Sequence, residues 1–293
     1  MLRPNNFGFN FETKNTNSFQ NNIKIDDKII QQKAIDEFNE MVKTIESYSI
    51  SVEIYNDKQE VLPDSVFMNN WISIFPDGKL VKYSLSTPSR RKEKSNRIIN
   101  KIVENFEITE FIDLSEYEEQ NKYLEGTGSV VFDHENKIAY ASLSERTNEY
   151  IFNKLCNKTG YKGFVFNSTN LDGSPIYHTN VVMTIAEKYV IICLESISDP
   201  LERSIIKSSL ESSSRKIIEL SFLQMNSYAG NCYEVFNSNN ISHLIMSTTA
   251  EAILTEKQKE EISKFSIIIS VNIPIIERVG GGSARCMLTG VNC

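Results

Sequence analysis

A repeating alternation of helix and strand patterns is the sequence feature that most limits how this chain can fold. Five segments with apolar residues three or four apart, the spacing of one helix face, begin near residues 28, 89, 146, 200 and 249. These starts are about 50 to 60 residues apart, a spacing typical of structural repeats. The strand-like runs between them cover residues 51–55, 66–75, 129–132, 138–143, 189–194 and 265–271. The pattern predicts five similar units, each made of strands and one covering helix.

Five such units are best accommodated by a closed ring. A ring buries every strand edge, keeps the helices outside and leaves a central polar channel lined by loops from all units. The predicted fold is therefore an α/β five-bladed propeller with pseudo-fivefold symmetry. An open α/β sheet is the alternative, because apolar runs such as residues 189–194 suit a buried strand in either architecture. No long Pro-, Gly- or Ser-rich linker divides the chain, which predicts one domain over residues 1–293.

Charge and cysteine usage narrow the class of protein. A net charge of −7 disfavours nucleic acid or an anionic membrane as partner. Neither a secretory signal pattern nor an apolar run long enough for a membrane span is present, so we expect a cytoplasmic protein. The cysteines are odd in number and show no CxxC pairing, which argues against a disulfide framework and a zinc site. They are Cys156, Cys193, Cys232, Cys286 and Cys293. We expect no metal and no organic cofactor.

Cys286 follows the glycine run Gly280–Gly282 and is the leading candidate for a nucleophile. Consecutive glycines let the backbone turn sharply and present a thiol to a small molecule. Glycine-rich turns also hold phosphates, but this run lacks the Lys-Ser/Thr ending of a P-loop. A buried structural cysteine is the plain alternative.

A cysteine nucleophile needs a base, and the chain has three histidines. His134 and His243 lie in polar segments that predict exposed turns. His178 stands directly before an apolar run, where it either caps a strand or acts as an acid and base. His178 is therefore the predicted partner of Cys286.

Glu125 is the candidate carboxylate. It precedes residues 126–128, which are Gly, Thr and Gly, and a strand-like run follows. Glycines there would let a ligand or another backbone segment come close to the acid. A surface turn carrying an ordinary glutamate is the alternative.

Two amides and two arginines complete the set of polar candidates. Asn69 and Asn70 stand beside Trp71 in a β-rich run, and asparagine is unfavourable in strands unless a bulge or a ligand needs it. Arg90 and Arg146 are candidates for binding a substrate carboxylate, because a guanidinium offers forked donors. Each is an ordinary surface arginine unless the fold brings it inward.

These residues, in this order, resemble the guanidine-modifying superfamily of arginine deiminases, amidinotransferases and arginine dihydrolases, and most of all its citrulline-utilisation branch. The resemblance covers nearly the whole chain. The matching motifs are Arg3-Pro4, residues 17–20, FMNNW at 67–71, LEGTG at 124–128, SERT at 144–147, PIYHTN at 175–180, NCYEV at 231–235 and GGGSARCM at 280–287. It implies a five-bladed α/β propeller, the pentein fold, in agreement with the unit count.

The resemblance also implies roles for single residues. Cys286 would be the nucleophile, His178 the acid and base, and Glu125 the carboxylate that orients His178 and binds the reacting nitrogens. The remaining substrate contacts would be Arg90, Arg146 and Asn17.

Two departures from the family pattern concern substrate charge. Arginine deiminases commonly have aspartate where this chain has Asn70, and His-x-Asp where it has His178 and Asn180. A carboxylate forms a charge-assisted bond to a cationic guanidinium, whereas an amide both donates and accepts and suits a neutral ureido group. We therefore predict a cysteine hydrolase that converts citrulline to ornithine, ammonia and carbon dioxide.

Two other interpretations stay open at this point. Arginine deiminase or arginine dihydrolase activity would use the same Cys286, His178 and Glu125. A non-catalytic protein that binds an amino acid on the same scaffold is the alternative of another class, because function resides in the site and not in the fold. The expected partner is in each case a small amino acid, and the sequence leaves a homo-oligomer open.

We expect Cys286→Ser to abolish turnover while the protein stays folded, because a serine hydroxyl ionises far less readily than a thiol. Iodoacetamide should label Cys286 before Cys156 and Cys193, which lie in apolar helix-like and strand-like segments. Peptide mass spectrometry after timed labelling checks the order. Equal labelling of every cysteine, or a fully active serine variant, would contradict the assignment.

Overall fold

The computed structural model describes residues 1–56 and 62–290, so Cys293 lies outside the described residues. The helices are α1 Asp27–Ser47, α2 Pro88–Arg91, α3 Asn96–Asn105, α4 Gly126–Ser129, α5 Glu149–Thr159, α6 Thr179–Val182, α7 Pro200–Ser212, α8 Phe222–Asn226, α9 Thr248–Ile253 and α10 Glu256–Ser263. The strands are β1 Ile72–Ile74, β2 Lys79–Lys82, β3 Glu110–Asp113, β4 Val131–Asp133, β5 Ile138–Ser142, β6 Lys162–Phe166, β7 Met183–Ile185, β8 Tyr189–Ile192, β9 Lys216–Glu219, β10 Tyr233–Phe236, β11 Ser242–Ser247 and β12 Ile267–Val271.

Twelve strands form four separate three-stranded sheets within the described residues, in the orders β1-β2-β3, β4-β5-β6, β7-β8-β9 and β10-β11-β12. In every sheet the first two strands are antiparallel and the third is parallel to the second. A parallel partner requires a crossover connection, and α3, α5, α7 and α10 lie in these four crossovers. The prediction of repeated α/β units is confirmed, as small mixed sheets and not as one open sheet.

The first predicted unit differs from the other four. The strand expected at residues 51–55 is absent, and only Tyr55 makes an isolated parallel bridge to Leu2. Its helix is present as α1, whose buried face includes Ile30, Phe38 and Ile45 as the apolar spacing predicts. This helix packs on β12 of the fourth sheet.

Two predicted helices are each split in two. The segment near residue 89 forms α2 and α3, and the segment near residue 249 forms α9 and α10. The second break has a local cause, because Thr255 and Gln258 form a capping box that begins a new helix.

Short helical turns stand before the first strand of three sheets, and the turn Met68–Asn70 replaces part of the strand expected at residues 66–75. A 3₁₀ turn, Met68–Asn70, precedes β1, and the short helices α4 and α6 precede β4 and β7. A further 3₁₀ turn, Ala284–Met287, carries Cys286. The four turns are in contact in series: α6 with α4, α4 with Met68–Asn70, and Met68–Asn70 with Ala284–Met287. The repeated units thus bring equivalent turns together in one place.

The prediction of an exposed turn at His243 is wrong. His243 is buried in β11, where it pairs with Val235 and Ile267 on either side. Its Nδ1 donates to the carbonyl of Ile241 at 2.8 Å. The apolar residues after His243 form strand β11, and the strand begins early enough to include His243. His134 does lie in the exposed turn between β4 and β5, as predicted.

A buried ion pair links two neighbouring sheets. Arg215, just before β9, donates to both carboxylate oxygens of Asp133 at the end of β4, at 2.5 and 3.0 Å. Its Nε also donates to the carbonyl of Ala186 at 2.8 Å. None of the helices within the described residues combines the length and apolarity needed to cross a membrane.

We expect Asp133→Asn to lower the free energy of unfolding by about 3 kcal/mol, because the buried guanidinium of Arg215 loses its buried charged partner and keeps only the exposed Glu135. Urea denaturation followed by circular dichroism measures this. Glu135→Gln is the matched control, because Glu135 also contacts Arg215 but its side chain is 67% exposed. Equal effects of the two substitutions would contradict the assignment.

Candidate active site

Glu125 and His178 occupy equivalent positions in successive units, since each is the residue that begins a short helix, α4 or α6. Because these helices pack against each other, the two side chains come into contact. His178 Nε2 lies 2.9 Å from Glu125 Oε2, and both residues are buried. The contact between Glu125 and His178 that the family resemblance implies is therefore present, and their catalytic roles stay predictions.

Glu125 carries its charge inside the protein. Burial alone would raise the pKa of this carboxyl, but Arg146 at 3.5 Å, the hydrogen bond from His178 and the charge of Arg90 hold the pKa well below its usual range. Its other oxygen accepts from the backbone N–H and the hydroxyl of Ser86, at 3.1 and 2.9 Å. Glu125 is thus an ionised, fully buried acceptor.

Burial favours the neutral form of His178. Burial lowers its pKa to about 4, because the hydrogen bond to Glu125 and the charge of Glu125 offset only part of the desolvation, and Arg146 opposes them. Since Glu125 is ionised, Nε2 carries the proton that it donates to Glu125, and Nδ1 is left as an acceptor. A neutral imidazole supplies no positive charge that could assist ionisation of a nearby thiol.

The thiol of Cys286 is surrounded by amides. Asn231 Nδ2 lies 3.3 Å from the sulfur and Asn180 Nδ2 lies 3.6 Å from it. The turn that carries the cysteine begins at Ser283, whose hydroxyl donates to buried Glu277. Two N–H donors can stabilise a thiolate without a neighbouring positive charge.

Asn231 is a site residue that sequence reasoning missed. It belongs to one of the family-like motifs, and this was the only signal available, because no spacing rule connects position 231 with Cys286.

The other described cysteines are also buried, and burial raises the pKa of Cys156 to about 12 and that of Cys193 to about 11. These two thiols are poorly suited to act as nucleophiles.

The glycine run positions the backbone beside Cys286. Gly281 has φ of 67°, in the left-handed region that favours glycine. Its carbonyl accepts from the hydroxyl of Tyr177 at 2.7 Å and from Asn17 Nδ2 at 3.4 Å. Asn17 is thus placed at the site by its contact with this turn, and its predicted contact with substrate stays a prediction.

Arg90 is buried, but its donors are engaged. Nε and Nη2 each donate to an oxygen of Glu93 at 3.0 Å, and Nη1 donates to Asn70 Oδ1 at 2.7 Å. Nη2 also lies 3.3 Å from the carbonyl of Phe67. Arg90 is therefore part of the wall of the site, and binding of a substrate carboxylate by Arg90 stays a prediction.

Arg146, unlike Arg90, has a hydrogen-bond donor without a partner. Its guanidinium lies 5.2 Å from the ring centroid of Tyr177, and Nη2 donates to the hydroxyl of Thr16. Its Nε is buried and has no hydrogen-bond partner. A cavity of about 520 Å³ is lined by Thr16 and Ser144, which hydrogen-bond to Arg146, and by Ser86, which hydrogen-bonds to Glu125, whereas Arg146 and Glu125 do not line it themselves.

Three buried polar atoms of the site lack a hydrogen-bond partner: Asn70 Nδ2, Asn180 Oδ1 and Arg146 Nε. A buried polar atom without a partner costs about 1 to 3 kcal/mol, so native structures rarely leave several together without a reason. A polar ligand that offers an acceptor to the two donors and a donor to Asn180 would satisfy all three. Among the described residues, no group of three or more His, Cys, Asp or Glu side chains could hold a metal ion.

Comparison with known proteins gives one family and a set of similar folds. The family described as "N,N dimethylarginine dimethylhydrolase, eukaryotic" matches residues 3–293. No curated protein matches. The substrate-bound N-terminal domain of ArgZ, an arginine dihydrolase from the ornithine–ammonia cycle in cyanobacteria, is 18% identical with a TM-score of 0.74, covering 98% of this chain and 95% of that one.

Two further solved structures are similar to this chain. In the apo structure of ArgZ, which has the same 18% identity and a TM-score of 0.75, this chain covers only 39% of the other chain. A dimethylarginine dimethylaminohydrolase adduct is 19% identical with a TM-score of 0.62, covering 88% of this chain and 90% of that one. At these identities the similarity shows a shared α/β fold.

We expect Gly128→Ala to lower kcat/KM by about 100-fold while the fold is kept, because small displacements of catalytic groups have effects of that size. A Cβ at Gly128 would lie 2.5 Å from Asn70 Nδ2 and 2.7 Å from His178 Nδ1. Gly8→Ala is the control, since a Cβ there meets no atom within 4 Å. Comparable losses in both variants would contradict the assignment.

We expect the imidazole of His178 to titrate with a midpoint near pH 4. Its pKa in the folded protein lies below the ordinary 6.5, so the stability it contributes is present above pH 6.5 and is lost as the pH falls toward 4. Histidine NMR spectra recorded against pH, with His178→Asn as the assignment control, measure the midpoint. A midpoint at or above 6.5 would contradict the neutral resting state.

Proposed function

The chain belongs to the N,N dimethylarginine dimethylhydrolase family, which confirms the resemblance to the guanidine-modifying superfamily, and on that premise we propose that it is a cysteine-dependent hydrolase of C–N bonds in a ureido or guanidino amino acid. One observation carries the proposal. The buried thiol of Cys286 contacts the amides of Asn180 and Asn231, and Asn180 stands two residues after His178, whose side chain pairs with Glu125. Together these supply a nucleophile, stabilising donors, a base and an orienting carboxylate.

The proposed reaction begins with attack of the Cys286 sulfur on the central carbon, while Nδ1 of His178 takes the thiol proton. The C–N bond to the terminal nitrogen then breaks, and His178 delivers the proton to the departing ammonia. Water, deprotonated by His178, attacks the thiocarbamate carbon and the C–S bond breaks. For citrulline the released carbamate decomposes to ornithine and carbon dioxide. One water is consumed for each citrulline.

Citrulline is the proposed substrate because of the orientation of Asn70. Arg90 can only donate, so the oxygen of Asn70 must face Arg90 and the Nδ2 group must face away from it. A donor at this position matches the carbonyl oxygen of a ureido group. The same donor opposes a guanidinium, which has only N–H groups, and N,N-dimethylarginine carries the same charge as arginine.

Arg146 is the proposed anchor for the substrate carboxylate. It contacts the cavity-lining residue Thr16, and its unpartnered Nε would gain an acceptor when a carboxylate binds. The amino acid would then extend from Arg146 to Cys286.

Arginine is a second candidate on the grounds of local charge. Three buried acids, Asp64, Glu93 and Glu125, face two arginines, Arg90 and Arg146, so the fully ionised cluster has an excess negative charge. A cationic substrate would neutralise it. Burial raises the pKa of Asp64 and of Glu93, which limits this excess, although the two hydrogen bonds from Arg90 favour the carboxylate form of Glu93. The similar solved structures include an arginine dihydrolase with bound substrate.

We also propose that the molecule is one catalytic domain closed as a five-bladed ring. The fifth blade would be formed by the Leu2–Tyr55 bridge, α1 and the turn Ala284–Met287. Two contacts support this closure: α1 packs on β12, and Ala284–Met287 contacts both β11 and the turn Met68–Asn70.

We expect kcat/KM to be higher for citrulline than for arginine or N,N-dimethylarginine, and Asn70→Asp to shift the ratio toward arginine by about fivefold, because one charge-assisted hydrogen bond is gained. Ornithine, citrulline and ammonia are quantified at matched subsaturating substrate. Asn148→Asp is the control: its side-chain oxygen caps α5, and the substitution adds the same charge at the cavity rim away from Asn70. Faster ammonia release from arginine by the wild type would favour the arginine alternative.

A further inference from the structure

We propose that Glu93 is a positioning residue that sets the preference between ureido and guanidino substrates by locking the side-chain amide of Asn70 through Arg90. The proposal rests on the proposed function, which supplies the two substrates to be compared. It assigns a role to a buried acid that none of the chemical steps above uses.

The first link is the fork between Glu93 and Arg90. Both residues are buried, three positions apart, and the two oxygens of Glu93 accept from Nε and Nη2 of Arg90 at 3.0 Å each. Two parallel hydrogen bonds between planar groups fix the guanidinium in both position and angle. The remaining nitrogen, Nη1, is thereby aimed away from Glu93.

The second link joins Arg90 to the turn Met68–Asn70. Nη1 donates to Asn70 Oδ1 at 2.7 Å, and Nη2 reaches the carbonyl of Phe67, the residue that begins the same turn, at 3.3 Å. Arginine has no acceptor, so this contact admits only one orientation of the Asn70 amide. The Nδ2 group must then lie on the side of Gly128, where a Cβ would be 2.5 Å from Nδ2 and 2.7 Å from His178 Nδ1.

The fork is needed because other carboxylates compete for Arg90. Asp64 lies 3.9 Å from its Nε and Glu125 lies 3.8 Å from its Nη1, and both are buried acids that gain from a closer cation. Without the fork, the guanidinium is free to turn toward either acid and to leave Asn70. The released amide can then rotate by half a turn and present its oxygen to the substrate, which favours guanidinium N–H groups over a ureido oxygen.

We call the chain of contacts from Glu93 through Arg90 to Asn70 the relay. Glu93→Gln tests it with little change in side-chain volume. The glutamine amide places a donor against one N–H group of Arg90, so the fork is broken. We expect the ratio of kcat/KM for citrulline to kcat/KM for arginine to fall by about tenfold, the size of one well-formed hydrogen bond exchanged for a mismatched one. Glu93→Asp keeps a carboxylate and should recover part of the ratio.

Glu118→Gln is the matched control. Glu118 is within 4.0 Å of Arg91, the neighbour of Arg90, and it also contacts Lys94, but it does not contact Arg90 or Asn70. This substitution should leave the ratio unchanged. An equal loss of both activities in Glu93→Gln with an unchanged ratio, or the same shift in Glu118→Gln, would overturn the proposal. If Glu93→Gln does not fold, Arg90→Lys must lower the ratio instead, because lysine cannot hold Glu93 and Asn70 together.

A crystal structure of Glu93→Gln separates this proposal from the proposed function. If the wild type turns over neither citrulline nor arginine, the proposed function fails, and the relay is judged by the Arg90–Asn70 contact alone. Loss of that contact in the variant supports the relay. Retention of the contact with the wild-type geometry overturns it.

Discussion

The ionised carboxylate of Glu125, buried at the meeting point of the short helical turns, is the interaction on which the rest of the site depends. A buried charge is tolerated only with partners, and here Arg146, Arg90 and the N–H of His178 supply them. These partners come from separate units of the chain. Assembly of the repeated sheets therefore completes the charge cluster, and the cluster in turn fixes which atoms of each side chain face the cavity.

The remaining chemistry follows from how these charges are shared. His178 donates its Nε2 proton to Glu125, so the neutral imidazole has Nδ1 as its acceptor. The thiol of Cys286 then depends on the amides of Asn180 and Asn231 and not on an imidazolium. Unpartnered atoms at the site are consistent with an arrangement that a substrate completes.

Much of the fold was predictable because it depends on local spacing. The face of α1 and the strand β5 are set by apolar residues at regular intervals, and both appear where expected. His243 was misjudged because its polar flank suggested a turn, although the apolar residues after it build a central strand. Asn231 was missed because its partner Cys286 is 55 residues away in the sequence, and so distant a contact leaves no periodic signal. Glu93 was missed because the sequence pattern does not show that its side chain points inward.

Acid-quenched enzyme analysed by peptide mass spectrometry tests the central claim, nucleophilic attack by Cys286, most directly. During turnover of isotope-labelled citrulline, the peptide containing Cys286 should carry a covalent adduct with the labelled ureido carbon, and peptides with the other cysteines should not. His178→Asn should change the amount of adduct but not its position. Steady ornithine formation with no labelled adduct on Cys286 at any quench time, or an adduct on Cys156, Cys193 or Cys232 instead, would contradict the account.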